Sequence, residues 1–231
     1  MRKLLTVCSA ILVTAAPALA QDKPIDVNIG FGVTFPTSSF KDSFDTGWDG
    51  TIGVTFNANQ HIGFQAEYIY ARMNGPSKTI LVSPTPGGIG SNQLIESNHQ
   101  MHVGSFNLVY KAQAHDSPFG GYVLGGAGIY HRMIQLTSPA VGYTTFCDPF
   151  WYVCYPAAVS VDNILGDRSS NDFGIDFGGG VTIGHEAKFY IETRYHYVWG
   201  PTIQPVGGGT TCSGGCSSNA SYFPLTFGVR W

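Results

Sequence analysis

Residues 221–231 read SYFPLTFGVRW, and the spacing within them decides the fold. Phe223, Leu225, Phe227, Val229 and Trp231 share one face, while Tyr222, Thr226, Gly228 and Arg230 share the other, with Pro224. A period of two marks a strand lying between an apolar and a polar environment. Chain ends usually fray and carry polar residues. Here Trp231 instead completes the apolar face.

The same alternation recurs upstream. In IDVNIGFGVTF, Ile25, Val27, Ile29, Phe31, Val33 and Phe35 oppose Asp26, Asn28, Gly30, Gly32 and Thr34. In WDGTIGVTFN, Trp48, Ile52, Val54 and Phe56 oppose Asp49, Thr51, Gly53 and Thr55. IGFQAEYIY sets Ile62, Phe64, Ala66, Tyr68 and Tyr70 against Gly63, Gln65, Glu67 and Ile69. DFGIDFGGGVTI and KFYIETRYHYVW repeat the pattern, the second with Glu192, Arg194 and His196 on its polar face. HVGSFNLVYK and GGYVLGGAGIYH carry small or apolar residues on both faces, so their orientation stays open.

With the last segment, these make eight strands of about 10 to 12 residues, enough to cross a bilayer at a tilt. Long and short connections alternate between them, the asymmetry of a membrane barrel with brief periplasmic turns and long extracellular loops. Open sheet edges cannot be satisfied in lipid, so the sheet must close. Eight tilted strands enclose a space just filled by side chains, which argues against a wide pore. The expected fold is all-β: a closed, eight-stranded, antiparallel up-and-down transmembrane barrel with long extracellular loops and short periplasmic turns.

A soluble lipocalin-like barrel would show the same alternation with the faces reversed. Three features favour lipid outside. The polar face is rich in Gly, Thr, Asn and Asp and poor in Lys and Glu. Trp48, Tyr70, Tyr110, Tyr197 and Trp231 sit near strand ends, as girdle aromatics do. The connections alternate in length. Composition agrees: 12% of residues are charged, about half the usual ~25%. No uninterrupted apolar run reaches the roughly 20 residues that a membrane helix requires.

The N-terminus reads as a cleaved signal peptide over residues 1–20, followed by the barrel over 21–231. Arg2 and Lys3 form a positive start, Leu4 to Ala15 an apolar stretch, and Ala18-Leu19-Ala20 a small-residue cleavage site. A membrane anchor is the weaker alternative, because the segment is short and no stop-transfer flank follows it. Without Arg2 and Lys3, 10 basic residues face 15 acidic ones, a net charge of about −5. No basic run exists, which argues against nucleic acid as a partner.

Four cysteines follow the signal: Cys147, Cys154, Cys212 and Cys216. An even count in an exported chain suggests disulfides. Three pairings are open; local bridges Cys147–Cys154 and Cys212–Cys216 are the expectation. Zinc is weaker, since the spacings lack the usual C-x2-C pair.

FGIDFGGGVTI, FYIETRYHYV and FPLTFGVRW, together with PFGGYVLGGAGIY, resemble the small outer-membrane β-barrel domains related to OmpA, OmpX and OmpW. The resemblance implies that Leu225, Phe227, Val229 and Trp231 form the C-terminal signal read by the barrel-assembly machinery, with Trp231 replacing the usual Phe. It also implies that a proline is tolerated at position 224 of the last strand; a bulge or missing rung is expected there. Members of such a family differ in function. A lipid A deacylase would need a serine two residues after the histidine of RYHYVWG; His196 is followed by Tyr197 and Val198. No catalytic role is carried over.

The polar faces should turn Asp26, Asp49, Glu67, Asp172, Asp176, Glu192 and Arg194 into the barrel. A gate or narrow ion path is one reading; a plug of arginine–carboxylate pairs that fixes the register is the favoured one. His99 and His102 are three apart and fall on opposite faces of a strand, so they cannot share a metal. In YTTFCDPFWYVCYP, Phe146, Phe150, Trp151, Tyr152 and Tyr155 surround two cysteines. Stapled, they would present rigid aromatic binding anchors; the alternative has these rings capping the barrel or dipping into the outer leaflet. TTCSGGCSSN looks like a second, small stapled tip.

The expectation is therefore a monomeric, non-enzymatic outer-membrane barrel without cofactor or metal. Its partners would be outer-membrane lipid, the assembly machinery and an unidentified extracellular ligand bound by the long loops, an adhesin-like role. An OmpW-like conduit for small apolar molecules is the main rival, with a lipid-modifying enzyme third. No peptidoglycan-binding domain is expected after the barrel.

Overall fold

A computed structural model describes residues 24–82, 91–113, 117–147, 150, 154–185, 187–203 and 216–231. The expected signal segment lies outside these residues. Eight strands form the wall: β1 (Ile25–Pro36), β2 (Gly47–Asn57), β3 (Ile62–Asn74), β4 (Ser91–Gln113), β5 (Phe119–Cys147), β6 (Cys154–Ile183), β7 (Lys188–Trp199) and β8 (Ala220–Arg230). Each pairs antiparallel with its sequence neighbours. β1 also pairs with β8, from Asn28↔Arg230 to Pro36↔Tyr222, so the sheet has no free edge around the ring. Trp231 extends the seam, its N–H donating to the Val27 carbonyl at 3.0 Å and its carbonyl accepting from Val27 at 2.9 Å.

The orientation is inside-out relative to a water-soluble barrel. Asn28, Asp49, Glu67, Asn107, Asp176, Glu192 and Arg194 are buried, whereas Phe31, Phe106, Phe177 and Phe189 are more than 60% exposed. That reversal excludes the lipocalin-like alternative. The two ambiguous strands resolve the same way. Val103, Ser105, Asn107 and Val109 of β4 and Tyr122, Leu124 and Tyr130 of β5 point inward; Phe106, Leu108, Tyr110, Val123 and Ile129 point out.

At one end the turns are tight. Asn59 Oδ1 accepts from the N–H groups of His61 and Ile62, closing the four-residue turn between β2 and β3. Gly184, at φ +134°, opens the β6–β7 turn in a conformation that side chains disfavour. At the other end, the expectation of 10–12-residue strands fails for three of them: β4, β5 and β6 run 23, 29 and 30 residues. Most of what reads as one long β5–β6 loop is a continuation of both strands. They stay paired out to Cys147↔Cys154, with one irregularity at Leu136/Thr137 where Leu165 is the extra residue. A short strand, Lys78–Val82, similarly pairs with the start of β4.

Pro224 lies opposite Thr34 of β1. Towards β7 the pairing passes from Tyr222↔His196 to Leu225↔Thr193 in unchanged register. A rung is therefore missing there, as expected for a residue without an N–H, and no bulge forms.

Candidate functional site

The lumen is built in layers from alternate residues of the eight strands. Nearest the tight turns, Lys111 Nζ binds Asp26 Oδ2 at 2.6 Å and Asn57 Oδ1 at 2.7 Å. The Arg230 guanidinium lies 4.6 Å from the Tyr122 ring centroid and 5.5 Å from that of Tyr190, a cation–π stack.

The middle layer centres on Arg194. Its Nη1 meets Glu67 Oε2 at 2.5 Å and its Nε meets Glu192 Oε1. Tyr122 Oη donates to the other Glu192 oxygen at 2.6 Å, and Asn28 Nδ2 to Glu67 Oε1 at 3.0 Å. Asn107, with its amide nitrogen towards the carboxylate, donates to both oxygens of Asp176 at 3.0 and 3.2 Å and accepts from Arg194 at 3.3 Å. Asp49 accepts from Thr34 and Thr226, each at 3.0 Å.

Towards the long strands, Arg132 Nε binds Asp172 Oδ2 at 2.6 Å and its Nη1 donates to the Ser218 carbonyl at 2.8 Å. Beside it stands an apolar collar that includes Ile69, Met73, Met101, Val103, Tyr130, Val198 and Tyr222. A single 3-10 turn, Ser38–Phe40, drops Phe40 and Phe44 onto that collar, against His99 at 5.3 and 4.9 Å between ring centroids. The Thr37 N–H donates to the Ser221 carbonyl and the Asp45 N–H to that of Asn74, at 2.9 and 2.8 Å, pinning both ends of the lid.

All seven charged residues expected inside are there. Yet Arg194 is not the only cation among them: Lys111, Arg132 and Arg230 also point inward. Arg230 was already on the polar face of the last strand. Arg132 has the parity of the inward Tyr130, so extending that strand by two residues finds it. The lid has no such signal, because Phe40 and Phe44 lie outside any alternating segment.

The second candidate surface divides. The Cys147–Cys154 bridge forms, with Cα atoms 4.0 Å apart at directly opposed positions. Phe146 and Tyr155 oppose each other one step below, and Phe150 and Tyr155 are exposed. Trp151, Tyr152 and Cys212 lie outside the described residues, as does the side chain of Cys216, so the second bridge does too. The ribbon rises 15 residues beyond Arg132, roughly 50 Å at the usual strand rise. Phe150 and Tyr155 thus lie at the tip of a ribbon whose pairing runs well beyond the last lumen layer.

The wall, the closed seam and the reversed faces define an integral membrane β-barrel that crosses lipid by strands. The chain belongs to the outer membrane protein beta-barrel domain family, whose model matches residues 6–211. It resides in the Gram-negative outer membrane, so the tight turns face the periplasm and the ribbon faces outward. Among solved structures it is similar to Neisserial surface protein A (13% identity, 90% of this chain and 96% of that one, TM-score 0.44). It is also similar to Ail, the attachment invasion locus protein of Yersinia pestis (14%, 90% and 97%, 0.41), and to OprG from Pseudomonas aeruginosa (13%, 90% and 95%, 0.42). No curated protein sequence matches it.

Proposed function

We propose that the protein is a non-enzymatic surface barrel that holds a partner outside the cell on its β5–β6 ribbon. One observation carries this reading: beyond Ser138 the ribbon leaves the barrel and exposes apolar side chains on both faces. Val141 and Tyr143 are 67% and 81% exposed, and Val159, Val161, Ile164 and Leu165 join them. Between residues 138 and 165 the only charged residues are Asp148 and Asp162. Exposed apolar surface of this kind marks an interaction site. Among the described residues, no strand pairs with the outer edge of β6 before Phe173↔Trp199, which leaves a row of backbone groups for an extended partner. The first 20 residues would direct export and the final strand would be read during assembly; the barrel would act as a monomer.

The conduit reading has less support. The apolar collar, the lid and three layers of ion pairs occupy the lumen, leaving a small apolar molecule no evident axial route. Planar-bilayer conductance or ligand uptake by the purified barrel would revive it. A change in lipid A acylation on expression would instead favour an enzyme.

The direct test uses a non-adherent host strain displaying the wild-type chain or one lacking residues 140–160. Heat-dependent gel mobility confirms that each barrel forms. Adherence to immobilised serum and matrix proteins should rise with the wild type and vanish with the deletion. Equal adherence of both strains, or none by either, removes the ribbon from the account.

A further inference from the structure

On the outer wall, a row of rings crosses β2 to β5: Trp48, Tyr70, His102 and His131. Successive centroids are 5.2, 5.1 and 6.1 Å apart. Girdles are ordinarily Trp and Tyr; here two imidazoles continue the row. His102 and His131 are directly opposed on adjacent antiparallel strands, both half-exposed on the outward face. Such a register places the Cβ atoms about 4.5–5.5 Å apart.

Both rings are held through the same nitrogen. His131 Nδ1 lies 2.7 Å from Asn171 Oδ1, and His102 Nδ1 lies 2.6 Å from Tyr68 Oη. An amide oxygen only accepts, so His131 donates from Nδ1, and in the neutral ring that leaves the Nε2 lone pair for a ligand. The Tyr68 oxygen can accept likewise from His102. A metal-binding histidine shows this arrangement: one nitrogen is oriented by a hydrogen-bond acceptor and the other is left for the ion.

We propose that His102 and His131 form a two-histidine site for a divalent transition-metal ion, Zn2+ in the first instance, at the extracellular rim of the barrel. Imidazole nitrogens bind zinc at ~2.0–2.1 Å, which puts two ligating rings roughly 5–6 Å apart by centroid. The observed separation of 6.1 Å lies at the upper edge of that range. No group of three or more His, Cys, Asp or Glu gathers among the described residues. The remaining coordination positions therefore belong to water or to an oxygen ligand brought by whatever lies against the rim. Asn171 and Tyr68 are positioning residues: they fix the rings and do not touch the ion.

The test is isothermal titration of the tag-free, full-length mature barrel in detergent with Zn2+, with retention on immobilised Ni2+ as a second readout. One ion should bind per chain. His102→Gln or His131→Gln should abolish column retention and weaken Zn2+ binding by well over tenfold. Asn171→Ala, which keeps both ligands, should weaken it by about tenfold to a hundredfold. His61→Gln, on a periplasmic turn, should change nothing. Absence of saturable binding, or binding indifferent to His102→Gln and His131→Gln, overturns the proposal. Should a glutamine variant fail to fold, diethyl pyrocarbonate labelling of the wild type decides. Zn2+ protection confined to His102 and His131 supports the site, and labelling of both rings unchanged by Zn2+ removes it.

Discussion

The same two strands, β5 and β6, make two different surfaces. Below Arg132 and Asp172 each alternates strictly. Tyr122, Leu124, Tyr130, Asp172 and Asp176 are buried within the lumen, while Val123, Ile129, Phe173 and Phe177 face lipid. Beyond Ser138 the strands keep their pairing, yet Val141, Tyr143, Val159 and Val161 have no wall to pack against. Pairing is thus independent of burial here. What separates the regions is closure: six further strands complete the wall around the lower half, and none flanks the described upper ribbon. The lower half should therefore be sensitive to single atoms and the upper half indifferent.

The most severe test of that contrast is Arg194→Ala. It leaves Glu67, Glu192 and Asp176 without their shared cation, and breaking a buried pair from one side costs about 3–5 kcal/mol. Equilibrium unfolding in detergent micelles should show that loss. Adding Glu67→Gln and Glu192→Gln to the alanine variant should recover part of it, because Asp176 is then the one acid of the three still left without the cation. If the single variant unfolds like the wild type, the middle layer is not holding the barrel together.

A smaller effect is expected at Gly30, whose missing side chain makes room for the Tyr190 hydroxyl and Thr226. Overfilling a packed interior costs about 1–3 kcal/mol, so Gly30→Ala should destabilise by that amount. Tyr190→Phe should relieve it, since the hydroxyl oxygen is the atom nearest the added methyl. Gly30→Ala without cost would show that this part of the lumen is looser than the layered contacts imply.

How far these features were legible in the sequence follows from the same contrast. The wall was readable because a period of two states which side faces lipid, and the low count of lysine and glutamate states which side does not face water. The carboxylates of the lumen followed from parity alone. Their partners did not, because register decides which strand places a cation beside which acid, and register is not written in any one strand. Lys111 of β4 reaches Asp26 of β1 across the lumen. The lid escaped because Phe40 and Phe44 lie in a connection, where no period applies. The ribbon escaped because its alternation is short and broken: Val141 and Tyr143 alternate only with Gly142 and Thr144, and Val159 and Val161 only with Ser160 and Asp162, so paired strands looked like a loop.

Opening the Cys147–Cys154 bridge should test whether the ribbon tip and the barrel are energetically separate. The bridge closes only a seven-residue separation, far from the lumen. Cys147→Ala with Cys154→Ala should therefore leave barrel unfolding unchanged within about 0.5 kcal/mol. Limited proteolysis near residues 148–153 should become faster. A large loss of barrel stability would mean that the tip contacts the wall.

The smallest effect is expected where exposure is greatest. Tyr143 and Tyr122 lie on the same strand, the first 81% and the second 5% exposed. Tyr122→Phe deletes the hydroxyl that donates to Glu192 in a buried layer, and an abandoned acceptor of that kind costs about 1–3 kcal/mol. Tyr143→Ser removes a whole ring, yet should move the barrel's stability by no more than ~0.5 kcal/mol, because nothing folded rests on that ring. If the ribbon binds a partner, the order reverses in an adherence assay: Tyr143→Ser lowers adherence and Tyr122→Phe leaves it intact wherever the barrel still forms. Two tyrosines on one strand with opposite rankings in two assays would separate the part of the molecule that holds from the part that binds. Identical rankings would mean that ribbon and lumen answer to one unit.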